Sequence, residues 1–111
     1  MFRIFRGGCH TRHNLGFVMS RENGFPRYVL LIVHSGGEFV IGGNRQTVEP
    51  SHAVIISPNT PYRYELANGS YMDDWIHFET DCPESLPACN QLFPIQNADM
   101  YTSLIRQLLW E

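Results

Sequence analysis

The side chains best suited to bind a small polar molecule stand in two alternating segments. Asp73, Trp75 and His77 occupy every second position of one segment, and Tyr62 and Tyr64 do so in another. Alternate residues of a β-strand point to the same face of a sheet. Sugar rings stack on Trp and Tyr, and their hydroxyl groups bond to phenol, imidazole and carboxylate groups. The pattern predicts an aromatic binding pocket.

The alternative is that the same side chains only fill a small hydrophobic core. For each residue alone, this alternative is at least as plausible as ligand contact. A fully packed core, however, would leave Asp73 and His77 unpaired at a cost of ~1–3 kcal/mol each. The group as a whole therefore favours a pocket.

Other residue types with reactive potential lack the neighbours that catalysis needs. His10 and His13 have loose metal-ligand spacing, but they lie in a polar segment and are expected to be solvated. Asp73 and Asp74 are adjacent, so on a strand they face opposite sides and cannot form an acid–base pair. No glycine-rich phosphate loop precedes the predicted helix near the end of the chain.

Turn residues divide the middle of the chain into short segments with strand composition. The predicted strands comprise residues 28–34, 38–41, 45–48, 52–57, 62–65 and 73–79. Gly42, Gly43 and Asn59 occupy turns that favour positive φ. Residues 1–27 predict an irregular arm with one short strand at 15–20. Several short strands separated by turns indicate an all-β antiparallel sandwich or barrel.

The end of the chain predicts an ordered proline-rich loop over residues 80–97 and then an amphipathic helix. Asn97 or Asp99 is the expected N-cap. Apolar residues follow at helical spacing: Tyr101, Leu104, Ile105 and Leu108. Because no Gly, Asn or Pro ends this helix, we expect a chain cut from a longer protein. A natural terminus docked on the barrel is the alternative.

The composition excludes several classes of protein. The chain has 111 residues, which is enough to form one hydrophobic core. Its net charge is -3, so it lacks the dense basic face that DNA binding uses. No segment resembles a signal peptide or a membrane span. An odd number of cysteines argues against a disulfide scaffold, and we expect free thiols in the cytosol. The expected buried, unreactive thiols are Cys9, Cys82 and Cys89.

Residues 28–79 resemble the N-terminal sensor domain of AraC/XylS-type transcription regulators. The resemblance lies in the order and spacing of motifs, which are Ser35-Gly36-Gly37, Gly42-Gly43, Val48-Glu49-Pro50, the turn and strand from Ser57 to Tyr64, and Asp74-Trp75-Ile76-His77-Phe78. It extends over about residues 20–111, because the proline-rich loop and Leu-rich helix follow where the family has them.

The resemblance implies a cupin-type double-stranded antiparallel β-barrel over residues 21–80. Residues 1–20 would be an arm that closes over the pocket in some relatives, and residues 81–111 the loop and the start of a dimerisation region. The resemblance implies effector contacts at Ser35, Tyr64 and Trp75, and the alternation of residues described above adds Tyr62, Asp73 and His77. The helix residues Tyr101, Leu104, Ile105 and Leu108 would form a dimer interface. A bacterial, cytoplasmic regulator is implied, with a sugar-like effector and a separate helix-turn-helix domain that binds DNA.

Cupin barrels also include metal-dependent isomerases and dioxygenases, so a stand-alone enzyme is the runner-up. Such sites use clustered imidazoles on two strands. Here His34 is the one histidine of the first strand, Tyr62 stands where a later histidine belongs, and Asn59 replaces the glycine of the turn. We therefore expect no metal, no other cofactor and no catalysis. A plain dimerisation module with a collapsed pocket is a third possibility.

Overall fold

A computed structural model describes residues 2–13, 18–48, 51–66, 71–96 and 102–103. Its elements, in chain order, are β1 (Phe2–His13), β2 (Val18–Arg21), β3 (Tyr28–Val33), β4 (Gly37–Ile41), β5 (Asn44–Val48), β6 (His52–Ile56), β7 (Tyr62–Leu66), β8 (Tyr71–Thr80), a 3-10 helix (Pro83–Ser85) and β9 (Phe93–Pro94). The strands from β3 to β8 follow the sequence prediction closely. No helix among the described residues is long and apolar enough to cross a membrane.

The strands form two antiparallel sheets. The five-stranded sheet has the order β1-β8-β3-β6-β9, and the four-stranded sheet has the order β2-β7-β4-β5. Side chains from both sheets build a common core, whose fully buried members include Leu31, Val33, Phe39, Ile41 and Val54. This mainly β architecture is consistent with the predicted cupin-like fold.

The predicted turns have the expected backbone geometry. Ile41 pairs with Asn44, so Gly42 and Gly43 form a two-residue hairpin loop. Their φ values are 56° and 84°, which glycine adopts without a steric penalty. Asn59 also has a positive φ of 60°. Local sequence therefore determined these two chain reversals.

A second apolar cluster covers the other face of the five-stranded sheet. Ile32, Ile55, Ile76 and Phe78 lie on this outer face. The loop after β8 returns across it, and packs through Leu86, Cys89, Phe93 and Ile95. Because both faces of β6 are covered, residues 53–56 are all buried, which explains their continuous apolar run.

The irregular conformation predicted for residues 1–27 is wrong for residues 2–13. These residues form β1, which pairs antiparallel with β8 along the sheet edge. The register shifts between Ile4 and Arg6 and again between Gly8 and Thr11. Glycines in strands often mark such irregularities, so Gly7-Gly8 looked like a break in the chain. The short strand predicted at 15–20 overlaps β2.

The thiols differ from the expectation of burial. Cys82 is exposed, and Cys9 and Cys89 are partly buried. Cys82 immediately precedes the 3-10 helix, which contains no buried residue. Of the predicted terminal helix, the described residues include only Thr102 and Ser103. Tyr101, Leu104, Ile105 and Leu108 lie outside the described residues.

Candidate ligand-binding site

The alternation along β8 directs its side chains to two different environments. Trp75 packs against the core between the sheets, whereas Ile76 and Phe78 belong to the outer cluster. Asp73 and His77 share the inward face with Trp75 because the β3–β8 register is continuous from residue 73 to residue 78. Asp73 is 1% exposed, although it is a carboxylate. The barrel interior therefore contains a buried acidic group beside an aromatic one.

Two tyrosines from β7 face this interior from the opposite sheet. The rings of Tyr62 and Tyr64 are stacked, with centroids 6.1 Å apart, and Tyr64 also stacks on Phe39 at 5.0 Å. Both tyrosines are buried, whereas the intervening Arg63 is exposed, as the alternation predicts. Both side chains belong to the hydrophobic core of the barrel.

The phenol groups of these tyrosines remain protonated at neutral pH. Burial raises the pKa of Tyr62, and a hydrogen bond from Arg21 partly offsets that increase. Burial raises the pKa of Tyr64 far above its ordinary value, and the negative charge of Asp73 raises it further. Tyr64 therefore places a hydroxyl group, which can donate and accept, close to a buried carboxylate.

A group of half-buried side chains surrounds His77 at one end of the barrel. The His77 ring lies 4.2 Å from the Phe25 ring and 4.9 Å from the Trp75 ring, measured between centroids. The Arg21 guanidinium lies over Phe25, with Cζ 5.1 Å from the ring centroid. Burial lowers the pKa of His77, and the charges of Arg21, Arg6 and Arg27 lower it further. His77 is therefore neutral at neutral pH, and a neutral imidazole has one ring nitrogen that can accept a hydrogen bond.

Arg21 and Phe25 were not predicted from the sequence. Arg21 pairs with Tyr62 and Met19 pairs with Tyr64, so these β2 residues face the same interior. The alternation of Met19 and Arg21 in a strand was the available signal. It was obscured because residues 1–27 appeared to be irregular.

Ser35 lies at the other end of the barrel from His77. It follows β3 by two residues, beyond the Val33–Asp73 pair, whereas His77 pairs with Val29. Ser35 is partly buried. Ser35 and Asp73 thus lie toward one end of the barrel and His77 toward the other, with His77 and Asp73 about 13 Å apart along β8.

His34 and Asp74 form a separate polar cluster on the outer side of the five-stranded sheet. His34 Nε2 lies 3.0 Å from Asp74 Oδ2, and the Thr102 hydroxyl donates to the same oxygen. The Asp74 side chain is fully buried and the His34 side chain is 8% exposed. The Cys9 thiol lies 3.9 Å from the Thr102 carbonyl oxygen. This cluster attaches the chain at Thr102 to the ends of β3 and to β8.

Two surface cavities adjoin the ends of the barrel. One has a volume of about 400 Å³ and is lined by residues that include Pro26, Tyr28, Glu79 and Arg3. The other, of about 270 Å³, is lined by residues that include Arg21 and Tyr62 as well as Ser20, Val40 and Arg63, so it borders the Arg21–Tyr62 pair. Among the residues that the structure describes, no three His, Cys, Asp or Glu side chains gather to hold a metal ion.

A family model described as an AraC-like ligand binding domain matches residues 9–109. A search of curated proteins found no match. Among solved structures, the chain is similar to the plu4264 protein from Photorhabdus luminescens, with 11% sequence identity and a TM-score of 0.49. The similarity covers 82% of this chain and 63% of that one, so this chain spans less than two thirds of that protein.

Proposed function

Because the chain belongs to the family of AraC-like ligand-binding domains, we propose that its barrel interior senses a small polar effector. Its role is that of the ligand-sensing domain of an AraC-type regulator, and we infer from the regulatory family that it does no chemistry itself. The proposed contact residues are Ser35, Tyr62, Tyr64, Asp73, Trp75 and His77, with Arg21 added from the structure.

The observation that carries this proposal is the buried Asp73 carboxylate, which is 1% exposed and shares the inward face of β8 with Trp75. A carboxylate offers hydrogen-bond acceptors to the hydroxyl groups of a ligand. Asp73 lies close enough to Tyr64 for its charge to raise the pKa of that phenol. Together these two groups offer a polyol both an acceptor and a hydroxyl, beside the flat surface of Trp75. A sugar-like effector fits this combination of stacking and hydrogen bonding.

We expect a sugar or a sugar derivative to stabilise the protein in a thermal-shift screen, and Trp75→Leu to abolish that shift. At 100 times its Kd, an effector stabilises the folded state by ~2.7 kcal/mol. The matched control is Tyr28→Leu, because Tyr28 lies on the outer face of the same sheet and stacks on Phe78 at 5.2 Å. An effector shift that survives Trp75→Leu would contradict the proposed pocket.

The same screen separates the proposal from its alternatives. A collapsed barrel that only dimerises would give no shift with any small molecule, and the burial of Tyr62 and Tyr64 is the observation that favours it. A metal-dependent cupin enzyme would instead carry a stoichiometric metal after purification, which elemental analysis measures. If the protein retained a metal ion bound through His34, the proposal of a sensing domain that does no chemistry would be overturned.

We further propose that the regulator acts in the cytoplasm as a homodimer and binds DNA through another domain. The net charge of -3 supports DNA binding through another domain, because this chain supplies few cations for phosphate contacts. Effector binding would then change DNA binding by shifting the population of dimer geometries, to the extent that the effector prefers one of them.

The predicted terminal helix is the proposed dimer interface. Leu104→Glu should convert a dimer to monomer in sedimentation velocity, because it puts a charge in the apolar stripe. Ser103→Glu is the control, since Ser103 lies on the opposite side of the predicted helix and is exposed. A dimer that is unaffected by Leu104→Glu would refute this interface.

A further inference from the structure

The arginine at the end of β2 adds a cation to the proposed effector site. Arg21 pairs with Tyr62, its positive charge acts on the Tyr62 phenol, and its guanidinium lies over the Phe25 ring. Its Nε atom is buried and has no hydrogen-bond acceptor among the described residues. A guanidinium carries five donors in a rigid fork, and this fork matches a planar carboxylate. Arg21 therefore retains donor capacity at a half-buried position.

Other arginines make this end of the barrel electropositive. The charges of Arg6 and Arg27, together with that of Arg21, all act on His77. Arg27 also has an acidic neighbour, since its Nε lies 3.8 Å from Glu79 Oε2, but both of these side chains are substantially exposed. Because solvent screens exposed charge pairs, Glu79 compensates only part of the positive field.

The opposite end of the same interior has the opposite charge. Asp73 is buried about 13 Å from His77 along β8, and its charge acts on Tyr64. A ligand anion would be repelled there, whereas ligand hydroxyl groups would donate to Asp73. The half-buried residues Arg21, Phe25 and His77 are accessible from solvent, and Tyr62, Tyr64 and Asp73 lie deeper.

From this polarity we propose that the effector is an acidic polyol, such as a sugar acid, whose carboxylate binds Arg21 and whose hydroxyl groups point toward Asp73 and Tyr64. The inference rests on the proposed function and names the chemical class of its ligand. Arg21 then determines specificity, because a neutral sugar of the same size leaves the guanidinium without an anion.

The test compares matched acidic and neutral compounds by thermal shift and calorimetry at equal ionic strength. D-glucuronate and D-gluconate are the acidic probes, and D-glucose and D-glucitol are their neutral counterparts. We expect the acids to bind and Arg21→Gln to weaken them at least about tenfold, as the loss of a charge-assisted hydrogen bond predicts. Arg45→Gln is the control, because the Arg45 side chain is 73% exposed in the β4–β5 hairpin and should not alter binding.

Each outcome has a distinct meaning. Acids that bind no better than their neutral counterparts, or as well to Arg21→Gln as to the native chain, would overturn the acidic class. A neutral sugar that binds through Trp75 would also overturn the acidic class of effector, but it would leave the proposed function intact. If no compound in either set binds, both proposals fail. The acid–neutral comparison on the native chain needs no variant, so it decides the question even if Arg21→Gln does not fold.

Discussion

Replacing Asp74 by alanine should lower the free energy of unfolding by about 3 kcal/mol or more. The substitution removes the oxygen that His34 Nε2 contacts at 3.0 Å and that the Thr102 hydroxyl also bonds to. The Asp74 side chain is fully buried, so water cannot replace the lost acceptor. Urea unfolding, followed by tryptophan fluorescence, measures the change.

Two further variants show whether the acceptor itself matters. Asp74→Asn keeps a carbonyl oxygen and should cost less than Asp74→Ala. Glu38→Ala removes an exposed carboxylate whose Oε1 lies 3.4 Å from Arg45 Nη1, and it should change stability by less than about 0.5 kcal/mol. If Asp74→Ala is no more costly than Glu38→Ala, the buried cluster contributes nothing to stability.

Gly24→Ala is expected to be the second severe substitution, with a loss of about 3 kcal/mol or more. Gly24 has a φ of +74°, which costs an alanine ~1–2 kcal/mol. In addition, a Cβ atom there would lie 2.5 Å from the Asn59 carbonyl carbon and 2.5 Å from the Thr60 nitrogen. The Asn59 N–H donates to the Phe25 carbonyl at 2.8 Å, so relieving the clash would break this contact as well.

Gly43→Ala isolates the conformational part of that cost. Gly43 also has a positive φ, of +84°, but a Cβ atom there would meet nothing within 4 Å. Gly43→Ala should therefore lower the free energy of unfolding only by the ~1–2 kcal/mol of backbone strain. Equal losses for the two variants in urea unfolding would show that the close approach at Gly24 is not important. A larger loss for Gly24→Ala, with weaker effector binding, would link this turn to the position of Phe25.

The sequence predicted those strands whose signals are local. From Tyr28 to Thr80, turn residues separate segments of alternating or continuous apolar residues, and the structure has strands in those places. β1 was missed because its conformation depends on pairing with β8, about seventy residues later, across two irregularities in register. Local propensity contains little information about such a distant partner strand.

The candidate site was predictable to a similar extent. Alternation placed Asp73, Trp75 and His77 on one face, and Asp74 on the other, before any contact was known. It did not predict the Arg21 guanidinium over Phe25 or the Thr102 hydroxyl on Asp74, because both depend on how distant segments meet. Effector contact for all six predicted residues stays a prediction.

The two adjacent aspartates also bear on the fidelity of folding. A one-residue slip of β8 against β3 would turn every side chain of β8 to the opposite face of the sheet. Asp74 would enter the barrel core and leave His34, while Ile76 and Phe78 would leave the apolar surface that the loop after β8 covers. A misregistered β8 would therefore lose a buried polar contact and apolar packing together on its outer face, and this loss disfavours a competing pairing with β3.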